Sequence, residues 1–420
     1  MKLRTAGSIL LVGGILVGIG SYAVLTGGPA TATLTERWIS ETARSNQANH
    51  HPVAAAQVRD RTVIAAPVSS VAGTEGTCAL VILDGDGNVR WRNRVSQDVC
   101  YIHAIGNPAI LDYDSDGTPE VLAPTTERYV YAYAPFTGRM ELRQQLTSFG
   151  YSKPVVVSGQ PRTVIVADFN GTVFSIYPNG TTAWIRRVGG VFADPAVADF
   201  DDDNRSEIAV GSVGNVTLFE ANGSMIWQTD AAATWMAAGQ LDRRSVIVAA
   251  GNRQVVALAG DTGTVLWRWR PTAVPTLHQI GDGDGDGTME VYVATNAGRV
   301  YALNARTGTV EWRTTLTTAQ MNMMPPPTLG DLDGDEALEL VAVTNTGLVS
   351  VIDPKSGEIL ASYRREVAIW TFPTVADIDG DTQEEILVMY GDGRVVALSY
   401  SETGAFLPSV TGSLYAAISR

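Results

Sequence analysis

The chain has 420 residues, with 44 acidic against 30 basic side chains and a formal net charge of −14. Its length alone allows two or three domains, and the absence of a basic patch or a base-stacking module argues against nucleic-acid binding. Because 20 of the acidic residues occupy the ligand positions of five short loops, the charge points to metal sites more than to a charged partner.

The first predicted element is a membrane anchor. A basic start at residues 1–5 precedes an uncharged apolar run at residues 6–25 and a linker at residues 26–32. As a helix, this run reaches about 30 Å, the thickness of a bilayer core. We expect a signal anchor that crosses the cell membrane once, with the basic start in the cytoplasm and the rest extracellular. The alternative is a signal peptide cleaved after Ala32, which would make the protein secreted.

The chain beyond the linker consists of repeats of about 40 to 50 residues. Each has an apolar strand, a turn with glycine and a further strand, as in VVALAGDTGTVLW. Period-two patterning at this spacing is typical of the four-stranded blades of a β-propeller, and no long run of period 3.6 favours a helical solenoid. Leu142 and Ala361 take one fixed position of the last strand in two repeats. Tryptophan takes that position in five: Trp91, Trp184, Trp227, Trp267 and Trp312.

An acidic loop recurs in five of the repeats, with acids at its positions one, three, five and nine. Three related segments, near Pro52, Pro154 and Gly239, have a turn with Gln and Arg where the others have the loop. We therefore predict eight repeats and an all-β, eight-bladed propeller of four-stranded blades over residues 33–406, followed by a C-terminal tail at 407–420. The loops lie at residues 112–120, 199–207, 282–290, 331–339 and 377–385.

The ring needs an outer strand for its last blade. The stretch at residues 33–42 reads as an isolated tryptophan strand, with Trp38 in the docking position. We predict that it closes the eighth blade, since closure removes the open edges that would pair with other strands. The alternative is that residues 405–410 complete the blade.

The acidic loops are candidate structural calcium sites, up to five in number. Calcium binds six to eight oxygens, and alternate aspartates in a tight loop can face one centre while the ninth residue reaches back. A glycine at position six suits a left-handed conformation; Glu336 and Thr382 fit it less well, so those two sites are expected to be weaker or shaped differently. The alternative is a solvated acidic loop that binds no metal ion. The predicted ligands are Asp112, Asp114, Asp116, Glu120, Asp199, Asp201, Asp203, Glu207, Asp282, Asp284, Asp286, Glu290, Asp331, Asp333, Asp335, Glu339, Asp377, Asp379, Asp381 and Glu385.

Two further features suit an extracellular location. Cys78 and Cys100 are the only cysteines, and they are either a disulfide or two buried thiols. Five sequons are glycosylation candidates, although three are also Asn-Gly turns, and turn chemistry explains them equally well. The sequons are at Asn170, Asn179, Asn204, Asn215 and Asn222.

No catalytic constellation accompanies the loops. The four histidines are scattered along the sequence and read as surface or hydrogen-bonded polar residues: His50, His51, His103 and His278. We therefore predict no catalytic residues and no cofactor-binding residues.

Two known groups resemble these motifs. The strands DTGTVLW and RTGTVEW resemble the repeats of PQQ-type quinoprotein propellers, in which the tryptophan docks between blades. The D-x-D-x-D-G-x-x-E loops resemble FG-GAP or VCBS repeats, seen also in integrin alpha chains, and that resemblance implies calcium.

Three lysines against 27 arginines, with many aspartates, are typical of a salt-loving organism such as a halophilic archaeon.

A propeller fold by itself identifies no activity. The leading hypothesis is a membrane-anchored, extracellular, non-enzymatic scaffold that binds a cell-surface protein or glycan, with Trp235, Trp370 and Phe372 as aromatic contact candidates or as core. One alternative is a PQQ-dependent quinoprotein oxidoreductase, although the adjacent cysteines of many such enzymes are missing. A second alternative resembles the bacterial outer-membrane assembly propeller, whose lipoprotein form needs a lipobox cysteine that this chain lacks after its apolar run.

Overall fold

The computed structural model describes residues 31–42, 49–70, 77–100, 103–158, 162–242, 244–319 and 321–403. Within them, residues 32–402 form one compact unit of eight antiparallel sheets. The predicted eight-bladed propeller of four-stranded blades is therefore confirmed. No helix in the described part of the chain is long and apolar enough to cross a membrane. The predicted anchor at residues 6–25 lies outside the described residues.

Each blade consists of consecutive strands, and the eighth also takes the first strand of the chain. The strands of blades one to four are β2 (Ala54–Val58), β3 (Arg61–Val68), β4 (Ala79–Leu83), β5 (Val89–Arg94); β6 (Ala109–Leu111), β7 (Glu120–Pro124), β8 (Tyr129–Tyr133), β9 (Met140–Gln145); β10 (Val155–Val157), β11 (Thr163–Ala167), β12 (Thr172–Ile176), β13 (Thr182–Arg187); and β14 (Ala196–Ala198), β15 (Glu207–Gly211), β16 (Val216–Phe219), β17 (Met225–Thr229). A 3-10 turn spans Gln97–Val99.

The second half of the ring follows the same order. Its strands are β18 (Trp235–Leu241), β19 (Arg244–Gly251), β20 (Gln254–Ala259), β21 (Val265–Trp269); β22 (Pro275–Thr276), β23 (Ile280–Gly281), β24 (Glu290–Thr295), β25 (Arg299–Asn304), β26 (Val310–Thr315); β27 (Thr328–Gly330), β28 (Glu339–Val343), β29 (Leu348–Ile352), β30 (Ile359–Arg364); and β31 (Thr374–Ala376), β32 (Glu385–Met389), β33 (Arg394–Thr403), β1 (Thr31–Glu41). In blade six the inner strand is split into β22 and β23, which both pair with β24.

The first strand of each blade lies at the centre of the ring. There β6 lies between β2 and β10, and β31 lies between β27 and β2. The second strand of each blade is buried along most or all of its length, for example β11 and β28. Eight apolar clusters fill the spaces between blades, one for each pair of neighbours. The core is therefore a ring of blade interfaces rather than a single centre.

Tryptophans join neighbouring blades at these interfaces. The Nε1 of Trp267 in β21 donates to the carbonyl oxygen of Ala305 in the next blade at 2.7 Å. Its ring lies against Gly308, where an added Cβ would be 2.6 Å from Cδ2 of the indole. Only glycine allows so close an approach, and the turn also needs its positive φ of 71°. The same donation to the next blade's turn is made by Trp38, Trp91, Trp184, Trp227 and Trp312.

The two repeats without tryptophan have different explanations. Leu142 in blade two contacts Gly180 of blade three, so a smaller side chain occupies the same docking position. Ala361 in blade seven faces a blade whose last two strands, β33 and β1, are not consecutive in the chain. The eighth blade therefore has no β33–β1 hairpin turn against which a tryptophan could dock.

The strand β1 is the outer strand of the eighth blade, next to β33. Thr33 Oγ1 lies 3.1 Å from Ser401 Oγ, and Arg394 NH2 donates to Glu41 Oε1 at 2.6 Å, so the two strands run antiparallel. Trp38 then docks on the turn of blade one, its Nε1 donating to Gly85 O at 2.8 Å. Residues 405–410, the alternative closing strand, lie outside the described residues.

Candidate functional site

The five acidic loops share one location in their blades. Each connects the inner strand to the second strand, in blades two, four, six, seven and eight. The glutamate at position nine is the first residue of the second strand in every case, so the sheet fixes its backbone. These glutamates are Glu120, Glu207, Glu290, Glu339 and Glu385.

The loops also share one backbone conformation. The aspartate at position one accepts a hydrogen bond from the amide of position six, and the glutamate at position nine accepts one from the amide of position two. Position six has a positive φ throughout, including 72° at Glu336 and 77° at Thr382. The expectation that the loops of Glu336 and Thr382 are shaped differently is therefore not met in the backbone: these residues adopt the conformation that glycine adopts elsewhere, at a strain cost of about 1–2 kcal/mol each.

The loops bring some of the predicted ligands together and leave others apart. In four loops, one oxygen from each of positions one, three and nine lies within 4.8 Å of the others, whereas the fifth-position aspartate is not part of the group. In blade four the group comprises positions one, three and five instead. The groups are Asp112, Asp114 and Glu120; Asp199, Asp201 and Asp203; Asp282, Asp284 and Glu290; Asp331, Asp333 and Glu339; and Asp377, Asp379 and Glu385.

The ninth-position glutamates are buried carboxylates. Glu207 has no exposed surface, and its Oε1 has no hydrogen-bond partner, while Oε2 accepts from Phe200 N at 2.7 Å. Asp282 Oδ1 in blade six is likewise buried and unpartnered. Burial raises the pKa of Glu120 to about 8, with the charge of Asp114 adding to the increase. Burial also raises the pKa of Glu207 to about 7. Such carboxylates are costly unless a cation neutralises them.

The eighth-blade loop already contains a cation from the protein. Arg37 in β1 donates from NH1 to Glu385 Oε1 at 3.0 Å and from NH2 to Asp379 Oδ2. Burial raises the pKa of Glu385, and the guanidinium of Arg37 opposes that increase. In the part of the chain that the structure describes, the other four loops have no Lys or Arg nitrogen within 4 Å of their third- or ninth-position carboxylates. In blade four the exposed Arg205 has its Nε 4.0 Å from Asp203 Oδ2 at position five. In the eighth blade, the converging carboxylates are therefore paired with the guanidinium of Arg37.

These observations match the chemistry of calcium. The donors are all hard oxygens, they converge on one point, and buried oxygens in blades four and six lack partners. Calcium accepts six to eight such ligands in a flexible geometry, including backbone carbonyls and water. The first- and third-position aspartates with either Glu or the fifth Asp would hold the ion.

Blades one, three and five have a shorter connection at the same place, as the sequence predicts. Basic side chains of blades one and three extend to the second blade's loop: Arg59 donates to Thr118 Oγ1, and Arg162 NH1 donates to Ser115 Oγ at 3.1 Å. The loops and the tryptophan-docking turns lie on one face of the ring, since Gly85 of a docking turn lies against Ile378 O of the eighth-blade loop. We call this side the loop face.

The opposite end of the channel, where the inner strands begin, has a different chemistry, and we call it the mouth face. A proline opens several inner strands, and in blades two, three and four the residue before it lines the channel cavities. His51, Asn107, Lys153 and Asp194 occupy this position in blades one to four. Sequence reasoning missed this set, although the repeated X-Pro before most inner strands was a usable signal.

Hydrogen bonds connect the pre-proline residues. His51 Nδ1 lies 2.6 Å from Asn107 Oδ1, and Asn107 Nδ2 donates to the carboxylate of Asp194 at 2.8 Å. Asp194 also accepts from Lys153 N at 2.7 Å. On the outer side His51 Nε2 is 3.0 Å from His103 Nδ1. A polar chain therefore runs across four blades.

Three of the four histidines, although scattered along the sequence, lie together in the fold. His51 and His103 are neighbours, and the ring of His50 lies 4.9 Å from that of His103. Burial lowers the pKa of His51 to about 3 and that of His103 to about 4, with nearby histidine charges adding to the decrease. They were missed because 52 residues separate positions that are adjacent only in the closed ring. At neutral pH these rings are uncharged.

Aromatic rings extend the histidine cluster along the mouth face. Trp370 stacks on His50 with centroids 5.5 Å apart, and Tyr151 lies 4.9 Å from His51. Most of these side chains are half-buried. We call the set the mouth cluster: His50, His51, His103, Phe149, Tyr151, Phe169, Phe192 and Trp370.

The other predicted aromatic contacts line the channel itself. Trp235 of blade five and Phe372 of blade eight approach edge to face at 6.5 Å, and His278 stacks on Phe372 at 4.3 Å. Two adjoining cavities of about 250 and 270 Å³ share Phe372, His278 and the pre-proline residue Asp194. Burial lowers the pKa of His278 to about 4. These residues are therefore neither simple core nor fully exposed.

The structure also describes the two cysteines and the five sequons. Cys78 and Cys100 are joined as a disulfide, with Cα atoms 5.4 Å apart, in the apolar cluster between blades one and two. Asn179 and Asn222 form Asx turns, accepting from Thr181 N and Ser224 N. Asn170 and Asn204 are exposed, and Asn215 is half-buried. Glycosylation of these sequons stays a prediction.

Comparison with known families identifies the repeat. A sequence profile of the family described as outer membrane protein assembly factor BamB, a PQQ-like repeat family, matches residues 170–400. The chain belongs to this family. The match extends from blade three to β33 and covers the tryptophan docks of four blade interfaces. The FG-GAP or VCBS resemblance of the loops stays a prediction.

Individual relatives agree with the family assignment. The BamB of Burkholderia pseudomallei (strain K96243) is 29% identical over 154 residues, which are 36% of this chain and 39% of that protein. The alignment thus spans about two fifths of that relative's length. The crystal structure of BamB from Moraxella catarrhalis has a TM-score of 0.62 at 19% identity, covering 87% of this chain and 97% of that one. The designed Ika8 protein has 0.59 at 15% identity, covering 86% and 98%. These two structures show the fold alone.

Proposed function

We propose that this protein is a non-catalytic propeller scaffold for the assembly of envelope proteins. The BamB family profile over residues 170–400 carries this proposal, since that family is described by outer membrane protein assembly. The proposal favours the assembly scaffold over the cell-surface receptor that the sequence first indicated. The two BamB relatives are bacterial, which supports a bacterial envelope rather than a halophilic archaeal surface.

The proposed docking surface is the mouth cluster. Protein interfaces are enriched in aromatic side chains at a centre that excludes water, and connections between five pairs of blades supply half-buried rings here. The rings are uncharged at neutral pH, because burial keeps the histidines neutral. The proposed partner is therefore an apolar or aromatic segment of a component that assembles outer membrane proteins.

Calcium is proposed as a structural cofactor that holds the loop face rigid. The buried, unpartnered oxygen of Asp282 and the guanidinium bound by the eighth-blade loop support it. The proposed location is the envelope outside the cytoplasmic membrane. Residues 6–25 would serve there as an anchor, or cleavage after Ala32 would release the propeller.

Site-specific photo-crosslinking in intact cells tests the docking surface. A photoreactive phenylalanine at Phe192 or Trp370 is expected to form an adduct with an outer-membrane assembly component, identified by mass spectrometry. The matched control is Met225, an exposed apolar residue on an outer strand, which should give no such adduct. Adducts at Met225 but not at the mouth cluster would contradict the proposed surface. Adducts with unrelated proteins only would contradict the assembly role.

A further inference from the structure

The eighth-blade loop differs from the other four acidic loops because a basic side chain from another strand pairs with two of its converging carboxylates. Arg37 bonds to the third and ninth positions, Asp379 and Glu385, which together with Asp377 form the group of converging oxygens. We propose that Arg37 is the resident cation of this loop, so that the loop takes no metal ion while β1 is docked. This inference rests on the proposed calcium sites of the other loops.

The geometry makes the two cations exclusive. A calcium ion at the loop centre would need oxygens of Asp379 and Glu385 at about 2.3 to 2.6 Å. Arg37 already uses one oxygen of each, and a guanidinium cannot lose its charge near neutral pH. A divalent ion beside it would meet strong repulsion in this half-buried setting. Either the arginine or the metal occupies the loop.

Arg37 also connects the closing strand β1 to the acidic loop of the eighth blade. Arg37 precedes Trp38, the residue that docks β1 on blade one, so the guanidinium fastens the closing strand directly to the loop of its own blade. In the other four loops, the proposed calcium ion would neutralise the carboxylates. The seam where the ring closes would therefore stay neutralised when calcium is absent.

The strand has enough other contacts to fold without the arginine. Tyr363 OH donates to Glu36 at 2.6 Å, Arg394 pairs with Glu41, and Trp38 donates to Gly85. Arg37→Gln is therefore expected to keep the closed ring, which far-UV circular dichroism and intrinsic tryptophan fluorescence check. Arg394→Gln is the matched control, because it breaks an ion pair of the same strand with Glu41, away from the acidic loop.

The test is the number of calcium ions bound per chain, measured by native mass spectrometry and by equilibrium dialysis of the purified propeller. We expect four ions in the wild type, five in Arg37→Gln, and four in Arg394→Gln. In the wild-type background, Asp284→Asn should lose one ion, whereas Asp379→Asn should lose none. This second pair keeps the test decisive if Arg37→Gln does not fold.

The outcomes separate the two proposals. Five ions in the wild type, or four in both the wild type and Arg37→Gln, would overturn the role of Arg37 and leave the calcium sites standing. Loss of an ion in Asp379→Asn would overturn it as well. No ion in the wild type or in any variant would remove the calcium sites themselves, and the exclusion by Arg37 with them.

Discussion

The loop face and the mouth face are made by the same eight repeats, but they bring their side chains together in opposite ways. Each acidic loop is complete within nine consecutive residues, as in residues 282–290. The mouth cluster takes one or two residues from each of several connections, so that His51 meets a residue 52 positions away. A repeat therefore encodes the loop face locally, while the mouth face exists only after the ring closes.

The largest expected effect is the removal of calcium from the loop face. If each of four sites binds only the folded ring, calcium at a hundred times its dissociation constant stabilises the fold by about 2.7 kcal/mol per site, or about 11 kcal/mol in all. Chelation should lower the melting temperature by many degrees, measured by differential scanning calorimetry with and without calcium.

Magnesium at the same concentration is the control, because it prefers rigid octahedral sites and should restore little of the loss. An unchanged melting temperature after verified metal removal would mean that the loops are solvated acidic turns. The loop face would then resemble the mouth face in needing no ligand to fold.

The next effect compares a tryptophan on each side of the ring. Trp267→Ala removes a buried indole, its hydrogen bond to Ala305 and the contact with Gly308, and should cost about 3–5 kcal/mol. Trp235→Ala, in the half-buried channel lining, should cost about 1–2 kcal/mol. Urea unfolding at fixed calcium measures both, and equal costs would mean that docking between blades is no stronger than packing in the channel.

The tryptophans also show how far the sequence alone reaches. Their fixed position relative to a turn glycine predicts blades, docking and the role of Trp38, because all of these depend on local spacing. The same pattern leaves Ala361 unexplained until the topology shows that the next blade has no β33–β1 hairpin turn. Arg37 is a similar case. Its contact with Glu385 joins residues 348 positions apart, and no periodicity within one repeat indicates it.

Lowering the pH should reduce the free energy of unfolding through His51 of the mouth cluster. The pKa of His51 is about 3 in the fold and 6.5 when unfolded, because burial and the neighbouring His103 disfavour the charged ring. The unfolded chain therefore binds more protons below pH 6.5. Stability is complete above pH 6.5 and falls as the pH drops towards 4, by about 2 kcal/mol or more. Urea unfolding should be measured at each pH with the wild type and a histidine variant at the same calcium concentration, so that metal release contributes equally to both.

The variant His51→Gln isolates this effect from the titration of the acidic loops. At pH 7.5 it should be less stable than the wild type, since the hydrogen bonds with Asn107 and His103 are altered. By pH 4.5 the difference should shrink or reverse, because the variant has no ring to protonate. A difference that stays constant from pH 7.5 to 4.5 would show that the buried histidine does not couple folding to acid.

The smallest effect concerns the backbone of the loops. Gly117 has a φ of 82° with open space around its Cα, so Gly117→Ala should destabilise by about 1 kcal/mol through conformation alone. Glu336 has a φ of 72° at the same loop position, so Glu336→Gly should relieve a similar strain. That gain is partly offset by the extra freedom of glycine in the unfolded chain.

The loop of Glu336 should also bind calcium more tightly after the change, as followed by isothermal titration calorimetry. Opposite signs for the two substitutions would show that one backbone conformation, set within nine residues, governs the loops. Equal signs would mean that each loop is shaped by its neighbours across the blade interface, as the mouth cluster is.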